Sequence, residues 1–187
     1  MKGSAQFLLE LLVEEPKHHW LVTPFSMSPE HGYLDSEGKL AFLSPAPTMD
    51  VAIIRELLPH CIEASKLLGV DEEFHGKLQA ALTRLPPYQI NRRGFVQEWI
   101  EDWQSGDQGH NFSPQFPFYP GSTIQLRRDP QLSDAMRKWM DTRRSWGGWP
   151  TAWDICMWSR LEQGDKVAAC MRSFVNNSVA EGGDSFD

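Results

Sequence analysis

The segment from Trp149 to Leu161 most narrows what this chain can become. Trp149, Ala152, Trp153, Ile155, Cys156, Met157, Trp158 and Leu161 spread apolar surface around nearly the whole circumference of a helix, which therefore needs neighbours on most sides. Those neighbours read differently. Asp129 can cap and Pro130 suits a first helical position, after which Leu132, Ala135, Met136, Trp139 and Met140 form one stripe, predicting an amphipathic outer helix. Beyond Gly164 and Asp165, the residues Val167, Cys170, Met171, Phe174 and Val175 again share one face. Upstream, Ala5, Leu8, Leu9 and Leu12 keep helical spacing before Pro16. A capping Thr48 opens a run through Val51, Ile54, Leu58, Cys61 and Ile62 to Gly69, with a kink expected at Pro59. Phe74, Leu78, Ala81, Leu82 and Leu85 follow Asp71 until Pro86-Pro87. One all-round apolar helix alternating with one-sided helices predicts a layered all-α array with inner and outer members. No stretch alternates with period two, so any strands should be short.

Composition bounds the function. The chain has 187 residues, 41% of them hydrophobic, enough for one domain with a real core. The apolar run at Phe7-Leu8-Leu9 is cut by Glu10 and Glu14-Glu15, far short of the roughly 18 residues of a membrane span, so a soluble chain without a membrane partner is expected. A net charge of −7 with no basic cluster longer than Arg127-Arg128 argues against nucleic acid. Cys61, Cys156 and Cys170 lie in helical patterns without metal-binding spacing and read as small buried hydrophobes. No phosphate loop, Gly-x-Ser-x-Gly elbow or His-Glu-x-x-His helix is present, and neither cofactor nor metal is expected.

The chemistry should lie in the two long irregular stretches, Pro16 to Pro47 and Pro86 to Arg128, which are too aromatic to be disordered and should line a cleft. Glu30 sits in Ser28-Pro29-Glu30-His31-Gly32, where Pro29 and Gly32 constrain the backbone on either side. Such a carboxyl among aromatics can act as a general acid, or it can simply cap a neighbouring N–H. Gln97-Glu98-Trp99-Ile100-Glu101-Asp102-Trp103 mixes carboxylates with indoles, the combination that hydrogen-bonds sugar hydroxyls and stacks on a pyranose face; an acidic turn with core tryptophans is the equal alternative. His110 can orient a hydroxyl or serve structure alone. Trp139, Trp153 and Trp158 lie on helical stripes and read as core, leaving Trp99, Trp103, Trp146 and Trp149 as candidate platforms.

Taken in order, the motifs carry a resemblance. Met1 to Phe7, Leu21-Val22-Thr23-Pro24-Phe25-Ser26-Met27-Ser28-Pro29-Glu30, Thr48-Met49-Asp50 leading into Ile53 to Leu57, Leu85-Pro86-Pro87-Tyr88-Gln89-Ile90, Gln97-Glu98-Trp99, Tyr119-Pro120-Gly121 and Trp149 to Leu161 together resemble glycoside hydrolase family 95 over nearly the whole chain. The resemblance implies an (α/α)6 toroid, of which this chain would be part, with about six to seven helices and long cleft-lining loops. It implies an inverting α-L-fucosidase acting on fucosylated oligosaccharides or glycoconjugates. In such an enzyme an acid protonates the glycosidic oxygen while a base activates water across the ring, the carboxyls standing about 6.5–9.5 Å apart. Glu30, in the Ser-Pro-Glu motif, matches the acid; His31, Glu98, Trp99 and His110 are candidate substrate contacts.

The family's water-activating asparagines and downstream aspartate motif have no counterpart here, and of its His-Arg-His loop only His110 is carried over. Twelve helices of about 12 residues with their loops need about 300 residues or more, and Met1 falls at an internal family position. The expectation is one partial barrel domain over residues 1–187, cut at both ends, inactive alone and completed by missing barrel halves. No signal peptide is visible, and the parent's compartment, secreted or periplasmic, is left open. Two further readings stand beside this one: a non-catalytic helical module binding carbohydrate or protein, and an α-galactosidase relative.

Overall fold

A computed structural model describes residues 1–106, 112–143 and 148–180. Among these, six α-helices carry the architecture: α1 (Lys2–Leu11), α2 (Thr48–Leu68), α3 (Glu72–Thr83), α4 (Pro130–Thr142), α5 (Gly148–Arg160) and α6 (Gly164–Ala180). The strands are two-residue pairings: β1 (Val13–Glu14), β2 (Leu21–Val22), β3 (Ser26–Met27), β4 (Tyr33–Leu34), β5 (Leu40–Ala41), β6 (Leu43–Ser44) and β7 (Gln104–Ser105). The fold is all-α, as expected for part of an (α/α)6 domain. None of the described helices is long and apolar enough to cross a membrane.

Apolar spacing and chain breakers account for most helix ends. In α2, Leu58 and Ile54 are buried, Gly69 closes the helix at φ +65°, and the helix runs on through the expected kink at Pro59, which is exposed. Helix α3 ends short of Pro86-Pro87 with Leu78 and Ala81 buried. Ala5, Leu58, Cys61, Leu78 and Leu85 form a core shared by α1, α2 and α3. Met136, Met140, Met157, Trp158 and Leu161 form a second core of α4 and α5, against which Val167 and Cys170 of α6 pack. Trp158 is buried, and Trp139 and Trp153 are half-buried against this core, in line with their stripes. All three cysteines are free thiols; Cys61 is buried and the other two are half-buried.

Three expectations need correction. Asp129 sits at the N-cap of α4, but its carboxylate makes no capping bond and accepts the Gln125 N–H instead (2.9 Å). Thr48 does not cap α2 with its side chain: it is the first helical residue, and its hydroxyl donates instead to the Gln97 carbonyl (2.6 Å). Helix α5 is not buried all round either. Thr151, Asp154, Met157 and Trp158 are buried, whereas Ala152 is exposed and Trp149 retains 60% of its surface. Two polar residues, Thr151 and Asp154, occupy the inner face, and Asp154 pairs there with Arg143, the residue after α4, at 3.0 Å.

The loops are tied to helices by buried polar groups. Glu15 turns the chain toward β2 by accepting the backbone N–H groups of Lys17 (2.8 Å), His18 (2.5 Å) and Trp20 (3.4 Å). Burial pushes this carboxyl up, but the three N–H donors outweigh burial and hold it below the ordinary carboxylate range. A carboxyl depressed in the folded state stabilises above its unfolded value of about 4.3 and loses that contribution as pH falls through the folded value. Glu15→Gln should therefore lower the melting temperature at pH 7, with the gap to wild type closing on acidification below about pH 4. A gap independent of pH would contradict this role.

Candidate functional site

Both irregular stretches dock on the N-terminal end of α2. The Thr23 hydroxyl donates to Asp50 in its first turn (2.8 Å), fixing the run that leads to Glu30. The Thr48 amide donates to the Glu98 carbonyl (2.9 Å) while its hydroxyl holds Gln97. Residues about 70 positions apart in sequence are thereby brought into contact: Ser28 Oγ donates to Glu98 Oε1 (2.5 Å) and His31 Nδ1 lies 2.7 Å from Glu98 Oε2. The other imidazole nitrogen, Nε2, is 2.8 Å from Ser105 Oγ on β7. The His31 and Glu98 side chains retain only 7% and 11% of their exposure, so the pair operates in a medium less polar than water.

The backbone permits this closeness at two glycines. A Cβ on Gly32 would fall 2.8 Å from the Ala41 carbonyl oxygen, and one on Gly106 would fall 2.3 Å from the Leu40 side chain. Gly106 N–H donates to the Gly32 carbonyl (2.9 Å), and Tyr33 pairs with Ser105 across the sheet. A side chain at 32 would press on β5 through the Ala41 carbonyl, and one at 106 would have to displace the end of the Leu40 side chain.

A cavity of about 870 Å³ opens here. His31, Glu98, Trp99, Trp103 and Ser105 line it, together with Trp139 and Thr142 at the end of α4 and Arg143 just after it. The expectation that both long loops line a cleft is met in part. The stretch from Pro86 to Arg128 lines this cavity through residues between 91 and 105 and Pro114, whereas the stretch from Pro16 to Pro47 contributes only His31 among the described residues. Trp103 stacks on Tyr33 with centroids 4.1 Å apart. Trp99 is 4% exposed and packs against His31 (5.1 Å) and Tyr33 (5.4 Å); its indole N–H is buried without a hydrogen-bond partner among the described residues. The Arg143 guanidinium carbon lies 3.7 Å from the Phe112 ring centroid. Burial pulls the Arg143 pKa down, and Asp154 opposes that pull.

The sequence-derived site residues fall into three groups. His31, Glu98 and Trp99 meet at the cavity, and Glu98 is engaged with Ser28 and His31. Glu30 projects from the same turn with its side chain exposed; it does not line the cavity, although its neighbour His31 does. Its φ of +57° is left-handed, a conformation that residues bearing a Cβ rarely adopt. His110 and Trp146 lie outside the described residues. Ser105 and Arg143 were not foreseen, since a lone serine and a lone arginine carry no spacing signal. Ser28 was visible only as part of the Ser-Pro-Glu motif.

A second cavity, of about 560 Å³, borders α2 at Arg55 and Glu56 and is also lined by Tyr88, after Pro86-Pro87. Its polar groups are engaged in holding backbone: Arg55 donates to the Leu85 and Pro86 carbonyls (3.1 and 2.9 Å), and Glu56 accepts the Ser122 N–H.

Comparison with known proteins places this geometry in context. Alpha-L-fucosidase 2 of Arabidopsis thaliana is 36% identical over 168 residues, which cover 88% of this chain and 20% of that protein. The chain thus spans about a fifth of the length of that relative. Residues 1–186 match the family model described as the glycosyl hydrolase family 95 catalytic domain, and the chain belongs to that family.

Proposed function

We propose that these residues are the acid-bearing portion of an inverting α-L-fucosidase, with Glu30 as the general acid. The Ser28 to His31 turn carries this reading: it projects a carboxyl from an enforced left-handed backbone beside a cavity lined by indoles and hydrogen-bonding groups. The 36% identity to a protein named Alpha-L-fucosidase 2 supports fucose over other sugars. Half-buried Trp103 and Trp139 offer apolar surface and Asn91, Arg92 and Gln104 offer polar atoms along the cavity, the composition of a pyranose subsite. In the reaction the Glu30 carboxyl gives its proton to the glycosidic oxygen as the C1–O bond breaks. Water adds to C1 from the opposite face and loses a proton to a base, inverting the anomeric centre. No residue of this chain is assigned as that base, which we place elsewhere in the whole protein.

The whole protein is expected to hydrolyse an aryl α-L-fucoside and to release the β-anomer first, observable by proton NMR before mutarotation. Residues 1–187 alone are expected to give no turnover. Robust activity from the isolated 187 residues would contradict the placement of the base, and release of the α-anomer would contradict inversion. A preference for the aryl α-galactoside would move the specificity, since the two sugars differ chiefly at C6 and a single hydroxyl's pocket decides between them. Binding of fucosylated oligosaccharide by the whole protein without hydrolysis would establish a carbohydrate-binding module instead.

A further inference from the structure

Glu98 grips the Glu30 turn at both ends. Ser28 and His31, three residues apart, place their side chains on the two oxygens of one carboxylate, at 2.5 and 2.7 Å. The turn between them is closed by the His31 N–H donating to the Ser28 carbonyl (3.1 Å). Ser28 and His31 are buried at 0% and 5% exposure, whereas Pro29 and Glu30 are exposed. Glu30 adopts its φ of +57° at the tip, between the two anchors. A residue with a Cβ holds that conformation only where its surroundings over-determine it, and such residues concentrate at functional sites.

The grip is itself anchored. The Glu98 backbone carbonyl accepts the Thr48 amide at the start of α2 (2.9 Å), and His31 Nε2 meets Ser105 Oγ on β7 (2.8 Å). Direct engagement of substrate by Glu98 would compete with both of its bonds to the turn. We propose that Glu98 is a positioning residue, a carboxylate clamp that fixes the Ser28 to His31 turn and so aims the Glu30 carboxyl at the departing oxygen. This inference rests on the reading of Glu30 as the acid. Clamp and acid then differ in what their removal does: loss of the clamp misplaces a proton donor that is still present.

The test compares two substrates in the whole protein. A phenyl α-L-fucoside needs its leaving oxygen protonated, whereas α-L-fucosyl fluoride departs with little assistance. Glu98→Ala is expected to lower kcat/KM on the phenyl fucoside by about 100-fold, the scale of general acid catalysis, and on the fluoride by less than about 5-fold. Glu98→Gln, which keeps one acceptor oxygen, should fall between Glu98→Ala and wild type. Should Glu98→Ala fail to fold, Ser28→Ala removes one arm of the clamp and is read the same way, with a smaller selective loss expected. Equal losses on both substrates, or no loss on either, would overturn the clamp. If Glu30→Gln is selective against the phenyl fucoside and Glu98→Ala is not, the clamp alone fails. If Glu30→Gln is itself not selective, the acid assignment fails and the clamp falls with it.

Discussion

Asp154→Ala is expected to cost about 3–5 kcal/mol of stability, the scale of breaking one side of a buried ion pair. Arg143 Nε and Asp154 Oδ1 are 3.0 Å apart, and their side chains are 3% and 7% exposed. The guanidinium lies against Phe112 and is 5.1 Å from the Trp139 ring, so water is largely excluded from it. Alanine at 154 would leave that cation buried without its carboxylate, and the cost is the desolvation of Arg143 rather than the worth of the pair itself. Replacing both partners with apolar residues of similar volume, Arg143→Met with Asp154→Leu, should cost far less than Asp154→Ala alone. Urea denaturation of the single and double variants reads this directly. A loss below about 1 kcal/mol for Asp154→Ala would place the pair among surface ion pairs in its energetic weight. Arg143 also lines the cavity, so the variant should loosen that wall as well.

Glu30→Gln in the whole protein should lower kcat on phenyl α-L-fucoside, whose weakly acidic phenol needs protonation to depart, by about 10²–10⁴-fold, the range that general acid catalysis supplies. KM should change little, because proton donation acts on the transition state rather than on ground-state binding. The exposed side chain contributes little packing, so stability should stay within about 0.5 kcal/mol of wild type. This separates Glu30 from Asp154: one variant keeps the fold and loses chemistry, while the other loses the fold first. A Glu30→Gln variant with full activity on the phenyl fucoside would remove the acid assignment.

Where helices begin and end was largely legible in the sequence, because Gly69, Pro86-Pro87 and Asp129-Pro130 are chain breakers that act locally. The inner face of α5 was not. Thr151 and Asp154 interrupt an apolar pattern, and a periodicity argument turns them outward; Asp154 is instead buried in a pair with Arg143, supplied by a different element. The site divides in the same way. Glu30, His31, Glu98 and Trp99 were each visible as chemistry-bearing residues, but their arrangement depends on Thr23 and Thr48 docking two distant loops on one helix end. Spacing along the chain says nothing about a contact between Ser28 and Glu98 or between His31 and Ser105.

The measurement that bears most directly on Glu30 is the dependence of kcat/KM on leaving-group acidity across a series of aryl α-L-fucosides, in the whole protein and its Glu30→Gln variant. With a proton donor in place, wild-type rates should vary little from acidic to weakly acidic phenols. The variant should fall steeply as the phenol becomes less acidic and approach wild type for the most acidic one. Parallel dependences in the two proteins would show that no proton reaches the leaving oxygen from position 30.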